Sequence, residues 1–358
     1  MARTYPSRKP ERGIALITVL MLVAIIASIA AIMLMREQTL LDRAQSFGMQ
    51  QQFVALEISS NQLAIARAAS DESVTVDTLD EPWFMLSEVA EPGNGQIRQQ
   101  MIDASSRFNL NNLALGSNPE SAQVLLRGLF TQLSLNPDLV YALSDYVDSD
   151  TEAGEVDEAQ SYGRDLINQP LISIEELSMV PGFKPSDIQA LKPYVAALPW
   201  FVPLNLNTAS VTALDAVRRS LGGQTQGQPP PATTPEDGNS AEGASEDQGA
   251  DTDPVPAPVQ DPSDRQQYTQ VADFLNSAEF AQSEQQTREV LSTQLSVNSA
   301  AVFLVTSAKL GEQERSWITV MQKQGRNLEP IYQLPSYLDD MSLLSQLKSK
   351  GVSAAPSP

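Results

Sequence analysis

Neither cysteine nor histidine occurs anywhere in the 358 residues. Their absence removes disulfide staples, thiol nucleophiles and imidazole bases together, and with them the commonest ligands of transition metals. Basic residues are scarce as well: 23 Lys and Arg stand against 44 Asp and Glu, a formal charge of −21. A field of that sign repels phosphate backbones and anionic lipid surfaces, so nucleic acid is not expected as a partner. No GxxxxGK[ST] loop is present to cradle a nucleotide phosphate. Hard divalent cations remain plausible ligands, because carboxylate and carbonyl oxygens bind them. The length predicts two or three folding units.

One apolar run dominates what is there. Ile14 to Met35 is 22 residues without a charge, a proline or a glycine. At about 1.5 Å per residue it covers the roughly 30 Å hydrocarbon core of a bilayer. It is longer than the apolar core of a secretory signal, about 7–15 residues. Arg3, Arg8, Lys9 and Arg12 precede it, against Glu11 alone. The positive-inside tendency then predicts a cytoplasmic N-terminus and a body on the far side. Arg36 to Ala69 contains neither proline nor a turn cluster, and Leu40, Ala44, Phe47, Val54, Ile58 and Ile65 recur near helical spacing. A single helix running out of the membrane accounts for both halves. On this segment alone a plain bitopic anchor is the alternative to a processed one.

A short basic leader ending Arg12-Gly13, an apolar helix beginning at once, and an amphipathic continuation resemble the type IV pilin-like proteins. The resemblance implies that a prepilin peptidase cuts after Gly13 and exposes Ile14 as a new N-terminus, taking the charge from −21 to −24. Most members carry glutamate at the fifth residue after the cut, where it pairs with the amine of a neighbouring subunit; here that position is Thr18. The departure resembles the minor pseudopilin K family of the type II secretion system (general secretion pathway protein K), whose members sit at a tip with no subunit beyond. An unpaired carboxylate in hydrocarbon costs several kcal/mol, so a tip subunit is better without it.

Asp71 to Pro92 reads as an acidic loop, and Gly95 to Leu113 as a strand entering an Asn-rich turn, with Ile97, Gln99 and Met101 on one face. The segment "RFNLNNL" (Arg107–Leu113) resembles the point where the K family leaves its sheet for a helical insert. Glu120 to Ser220 reads mostly helical. Within it, Leu171 to Pro199 reads as a helix-hairpin-helix: Ser173 caps the first helix, Val180-Pro181-Gly182 turns, and Ser186-Asp187 begins the second. Leu204 to Gly222 reads as another, capped by Asn207 or Thr208. Such units can hold DNA phosphates, but Glu175, Glu176 and Asp187 favour a packing role.

Asp145, Asp148, Asp150, Glu152, Glu155, Asp157 and Glu158 crowd fourteen residues that contain no Lys or Arg. Keeping all of them ionised favours a shared cation. Asp148-Ser-Asp150-Thr-Glu152 has the alternate spacing of a calcium loop, although Ala153 and Ala159 stand where an EF-hand needs glycine and glutamate. The stretch resembles the K family's D-W-x-D-x-D segment and the following G-A-E-D-x-x-Y, with Asp145, Asp148, Asp150, Glu158 and Tyr162 on matching positions. Tyr146 replaces the tryptophan, and Val156-Asp157 replace Gly-Ala. The expectation is a structural calcium ion on Asp145, Asp148, Asp150, Glu152 and Glu158; a solvated acidic loop is the alternative. Gly222 to Asp264, with nine acidic residues and no Lys or Arg, reads as a disordered insertion. Tyr268 to Phe280 reads as a helix, and Gln294 to Pro335 as three strands with a turn at Leu310-Gly311-Glu312. These closing strands resemble the end of the K-family sheet. Trp83, Trp200 and Trp317 read as core or interface aromatics.

The expected fold class is α+β: a pilin-like long N-terminal helix packed on a small antiparallel sheet, with a large inserted all-α domain containing helix-hairpin-helix (SAM-like) units. The expected segments are a cleaved leader (1–13), a membrane and amphipathic helix (14–70) and the first part of the pilin-like domain (71–104). The helical insert (105–290, with 222–264 disordered), the closing strands (291–345) and a flexible tail (346–358) follow. The resemblance implies a non-catalytic subunit of the inner membrane of a Gram-negative bacterium, its bulk periplasmic, assembling with other minor pseudopilins into the tip that starts the pseudopilus. Prepilin peptidase, secreted proteins and the outer-membrane secretin are the further partners it implies. A membrane-anchored helix-hairpin-helix protein of a DNA-uptake or type IV pilus system is the alternative, and would need a basic face. A membrane-anchored hydrolase would need a nucleophile and base, and no GxSxG is present.

Overall fold

The computed structural model describes residues 12–71, 73–91, 95–116, 118–148, 169–222 and 266–334. The chain divides into two compact units, Met1–Ile58 and Ser59–Pro358. Helix α1 (Arg12–Ala69) is continuous for 58 residues. In the first unit every residue from Leu16 to Phe47 is exposed, and the helix is long and apolar enough to cross a membrane. In the second unit α1 presents Ser60, Ala64 and Ala68, four residues apart, all fully buried. Small side chains at this spacing let the helix approach closely. Leu40, Phe47, Val54 and Ile58 of the expected apolar stripe are exposed instead, and only Ile65 packs against a core.

Residues 71–91 are not all loop. After a 3-10 turn at Pro82–Phe84, β1 (Ser87–Glu91) pairs antiparallel with β2 (Gly95–Asp103). Two glutamates in five residues masked β1, which an edge strand tolerates because one side faces water. On β2 the expected face is correct: Ile97, Gln99 and Met101 are buried.

The insert repeats one arrangement twice. Its first half contains β3 (Phe108–Asn109), α2 (Pro119–Gln132), α3 (Leu139–Val147), a 3-10 turn at Ile174–Met179, α4 (Pro185–Leu191) and β4 (Val195–Ala196). Its second half contains β5 (Leu204–Asn205), α5 (Val211–Ser220), α6 (Val271–Leu275), a 3-10 turn at Ala278–Phe280, α7 (Gln285–Ser292) and β6 (Leu295–Ser296). In each half the first two-residue strand pairs in parallel with the last, β3 with β4 and β5 with β6. Asn109 accepts from the Asn111 N–H at 3.2 Å, and Asn205 from the Asn207 N–H at 3.0 Å. Asn111 then clamps Leu171, donating to its carbonyl at 2.9 Å and accepting from its N–H at 2.7 Å. Asn207 clamps Tyr268 in the same way, at 3.0 and 2.8 Å. Both halves feed one apolar core that includes Leu126, Phe130, Leu143, Val217, Phe274 and Leu291.

Several local expectations change. Ser173 does cap its helix, accepting from the Glu175 N–H at 3.1 Å, but the helix is a six-residue 3-10 turn. The next helix begins at Pro185, one residue before the expected Ser186-Asp187, because proline suits a first helical position. Gly182 in the intervening turn has φ +94°, a conformation that disfavours any side chain. Helix α5 is capped by Ser210, not by Asn207 or Thr208, whose side chains serve long-range bonds. Tyr268 to Phe280 is not one helix but α6 and a 3-10 turn, and α7 follows.

After the insert come β7 (Ala301–Leu310), β8 (Gln313–Gln324) and β9 (Asn327–Gln333). Gly311 makes the expected turn at φ +59°. The antiparallel sheet has the order β1-β2-β7-β8-β9, so the strand before the insert is completed by the strands after it. Both faces are covered: Val302, Leu304 and Met321 pack with Ala64, Ala68 and Trp83, while Phe303, Val305 and Ile318 pack with Ala196, Leu198 and Val202. The acidic stretch beyond Asp148, the Gly222–Asp264 insertion beyond Gly222 and the tail lie outside the described residues.

Candidate functional site

The helical backbone starts at Arg12, so Gly13, Ile14 and Thr18 lie on one helix, with Thr18 exposed. Residues 1–11 of the leader lie outside the described residues. Of the expected calcium ligands, the structure places two. Asp145 is buried near the end of α3, and Asp148 is the helix's C-cap, its N–H bonded to the Ser144 carbonyl at 3.0 Å. The two are three residues apart, at the helix end where the peptide dipoles present negative charge. Asp150, Glu152 and Glu158 lie outside the described residues.

A second carboxylate cluster is one that sequence reasoning missed. Oxygens of Asp71, Asp77 and Glu81 lie within 4.8 Å of one another. The cation among them is an ammonium: Lys323 Nζ lies 2.8 and 3.0 Å from the two Asp77 oxygens and 3.3 Å from Asp71 Oδ2. It also sits 5.1 Å from the Trp83 ring, a further favourable contact for a buried cation. Asp77 accepts from the Ser299 N–H at 2.6 Å, which ties the cluster to the segment entering β7. Glu81 accepts from Trp83 Nε1 and, at 3.2 Å, from the Thr78 N–H. Burial, then the nearby Asp77 charge, push the Glu81 carboxyl up to about 7.

Asp103 adjoins this centre at the end of β2. Its carboxylate accepts from Thr208 Oγ1 at 2.5 Å, Ser299 Oγ at 2.7 Å, the Ser105 N–H at 2.8 Å and Asn205 Nδ2 at 3.1 Å. Burial outweighs these bonds and raises its pKa to about 6. Together the five groups join the end of α1, the 71–81 segment, the sheet and the second half of the insert. Their chemistry is structural: Lys323 already supplies a cation to two of the three clustered carboxylates, Asp71 and Asp77. One signal could have found the centre, since Lys323 lies on the same strand face as the buried Met321.

A helix long and apolar enough to cross a membrane, an antiparallel sheet packed on its C-terminal end, and a helical insert between the second and third strands of that sheet define a pilin-like fold. The family model for the first domain of type II secretion system protein K matches residues 106–200. Over those residues the chain is similar to the first domain of that family. Type II secretion system protein K of Pseudomonas aeruginosa is 29% identical over 242 residues, covering 61% of this chain and 72% of that protein. The protein of the same name from Klebsiella pneumoniae is 30% identical over 205 residues, 52% of this chain and 63% of its own length. A chain in the crystal structure of the GspK-GspI-GspJ complex from enterotoxigenic Escherichia coli superposes with a TM-score of 0.60 at 22% identity, over 81% of this chain and 98% of that one. The resemblance read from the sequence is borne out, and so is the fold class, apart from the helix-hairpin-helix detail.

Proposed function

We propose that this chain is a minor pseudopilin of the type II secretion system, acting at the pseudopilus tip to start assembly for export of folded proteins. The observation that carries the reading is the joining of two parts in one chain. A helical insert of the protein K family sits on a sheet led by an apolar helix that has Thr18 where glutamate is usual. The solved relative forms a complex with GspI and GspJ, which supports other minor pseudopilins as the partners here. In this reading the protein has no catalytic role. It is anchored once in the inner membrane, with its N-terminus cytoplasmic and its body periplasmic, and secreted proteins and the secretin are met at the growing end.

Cleavage after Gly13 by a prepilin peptidase, with methylation of Ile14, is part of the proposal. So is a structural calcium ion on Asp145, Asp148, Asp150, Glu152 and Glu158. Two carboxylates at the negative end of α3 support it, because each is disfavoured there by about 0.3–1 kcal/mol unless a cation compensates. The decisive measurement is the mass of the mature N-terminus in membranes with and without an active prepilin peptidase. A start at Ile14 that depends on the enzyme supports the reading; an intact Met1, or a cut beyond Met35, overturns it. For calcium, melting temperature and tryptophan fluorescence that stay fixed at millimolar metal would remove the ion from the proposal.

A further inference from the structure

Lys323 and Asp77 are placed as chemical reactants as well as an ion pair. Lys323 Nζ stands 2.8 and 3.0 Å from the two Asp77 oxygens, and the two side chains are only 1% and 0% exposed. Their surroundings are apolar on one side: the Trp83 ring lies 5.1 Å from the ammonium and packs with Val302, Met321 and Leu328 in one core. An amine and a carboxyl held in contact have an effective molarity of about 10⁵–10⁸ M, and exclusion of water opposes hydrolysis of what they form. Replacing two buried charges by one neutral group also removes their desolvation cost.

Two neighbouring carboxyls are placed to move the protons. Asp71 Oδ2 is 3.3 Å from Lys323 Nζ, and among the described residues it is buried without a hydrogen bond. Glu81 has an oxygen within 4.8 Å of oxygens of both Asp71 and Asp77, a gap that one water bridges. Burial, then the Asp77 charge, raise its carboxyl to about 7, where it gives and takes protons with equal ease at neutral pH.

We propose that Lys323 and Asp77 condense into an intrachain amide, with Asp71 and Glu81 as the proton carriers. Lys323 gives one proton to Asp71, and the freed nitrogen pair attacks Asp77 Cγ, forming the C–N bond while Glu81 protonates a carboxylate oxygen. The nitrogen then passes a proton to Glu81, Asp71 protonates the leaving hydroxyl, and the C–O bond breaks with release of one water. Asp71 and Glu81 end as they began. One ammonium and one carboxylate have become an amide, with no oxidation or reduction. The first proton transfer dissolves a well-made ion pair, so freshly folded protein carries the ion pair and the amide accumulates over days. The bond joins the segment after α1 to β8, across 246 positions of the chain, and makes permanent a contact that charge alone holds at first.

The test uses the full-length protein, purified in detergent, kept at neutral pH for several days and followed by intact-mass spectrometry and tryptic mapping. The expected result is a growing species lighter than the parent by one water. With it should appear a branched peptide joining Ala68–Arg98 to Ser316–Arg326, uncut after Lys323 and with the link at Asp77 on fragmentation. Glu81→Gln should slow its appearance at least about tenfold. Lys323→Arg, which keeps a cation but offers no amine, should stay at its starting mass. A parent mass that does not change overturns the proposal. So does loss of water without the branched peptide, the sign of a succinimide within one segment, or a link at Asp71. A parent rate in Glu81→Gln overturns the proton route.

Discussion

Replacing Lys323 by methionine keeps most of the side-chain length and removes one charge. The ammonium it removes is buried, with contacts of 2.8 and 3.0 Å to Asp77 and 3.3 Å to Asp71, whose side chains are 0% and 1% exposed. Both carboxylates would stay in place without their counter-ion. Breaking a buried pair from one side costs about 3–5 kcal/mol, mostly the penalty of the charge left behind. For a body of this size that corresponds to a fall in melting temperature on the order of 10 °C. Thermal unfolding of the full-length protein in detergent, followed by tryptophan fluorescence, reads it directly. Adding Asp77→Asn to Lys323→Met should recover more than half of the loss. A variant melting within about 2 °C of the parent would refute the role given to Lys323.

Four further outcomes are expected. Gly128→Ala should destabilise by about 1–3 kcal/mol in denaturant unfolding, because its Cβ would clash with Ser220 Oγ and stand 2.6 Å from the Ala216 carbonyl where α2 meets α5. Asn207→Ala should cost about 2–3 kcal/mol by orphaning both backbone groups of Tyr268, and hydrogen exchange should rise around residues 268–275 before it rises in α2. Asp103, raised from 3.8 to about 6, binds more protons folded than unfolded between those values, so it erodes stability as pH rises through that window. Asp103→Asn should therefore flatten the fall of stability between about pH 4 and pH 6 relative to the parent, whatever its absolute effect. The reading of 222–264 as a disordered insertion predicts that replacing residues 226–262 by a short Gly-Ser linker leaves the melting temperature within about 2 °C.

Much of the fold was legible because its signals are local. The apolar run fixes α1, Gly311 fixes the hairpin between β7 and β8, and alternation on β2 fixes its buried face. The caps were legible only where side-chain chemistry was unambiguous. Ser173 was found, but Asn207 and Thr208 were read as caps because both residue types serve that role, whereas their partners here are Tyr268 and Asp103, far along the chain. The candidate sites divide the same way. Ile14 and Thr18 fall on the expected helix, which already includes Gly13, read as the end of the leader, and Asp145 and Asp148 fall on the end of α3. The Lys323 centre was missed despite its place on the face of Met321, since its members are separated by some 250 residues and a lysine in a strand ordinarily reads as solvated. The apolar stripe on α1 misled for a related reason: close approach of helix to sheet selects small side chains at Ser60, Ala64 and Ala68, which carry little hydropathy.

The pairing of β2 with β7 sets the timing of folding. Asp103 lies opposite Val302, and Gly95 opposite Leu310, so the sheet closes a loop of roughly two hundred residues, an entropic cost of about 5 kcal/mol for an unstructured chain. The hairpin of β1 and β2 is marginal by itself. A folded insert shortens that loop, because β5 beside β6 and the bonds from Asp103 to Thr208 and Ser299 hold the ends of the sheet's two halves together. The helical body is thus a splint for the sheet, and β2 has an open edge until the strands after the insert pair with it. Until β7 covers it, that open edge is a strand surface able to pair with another chain.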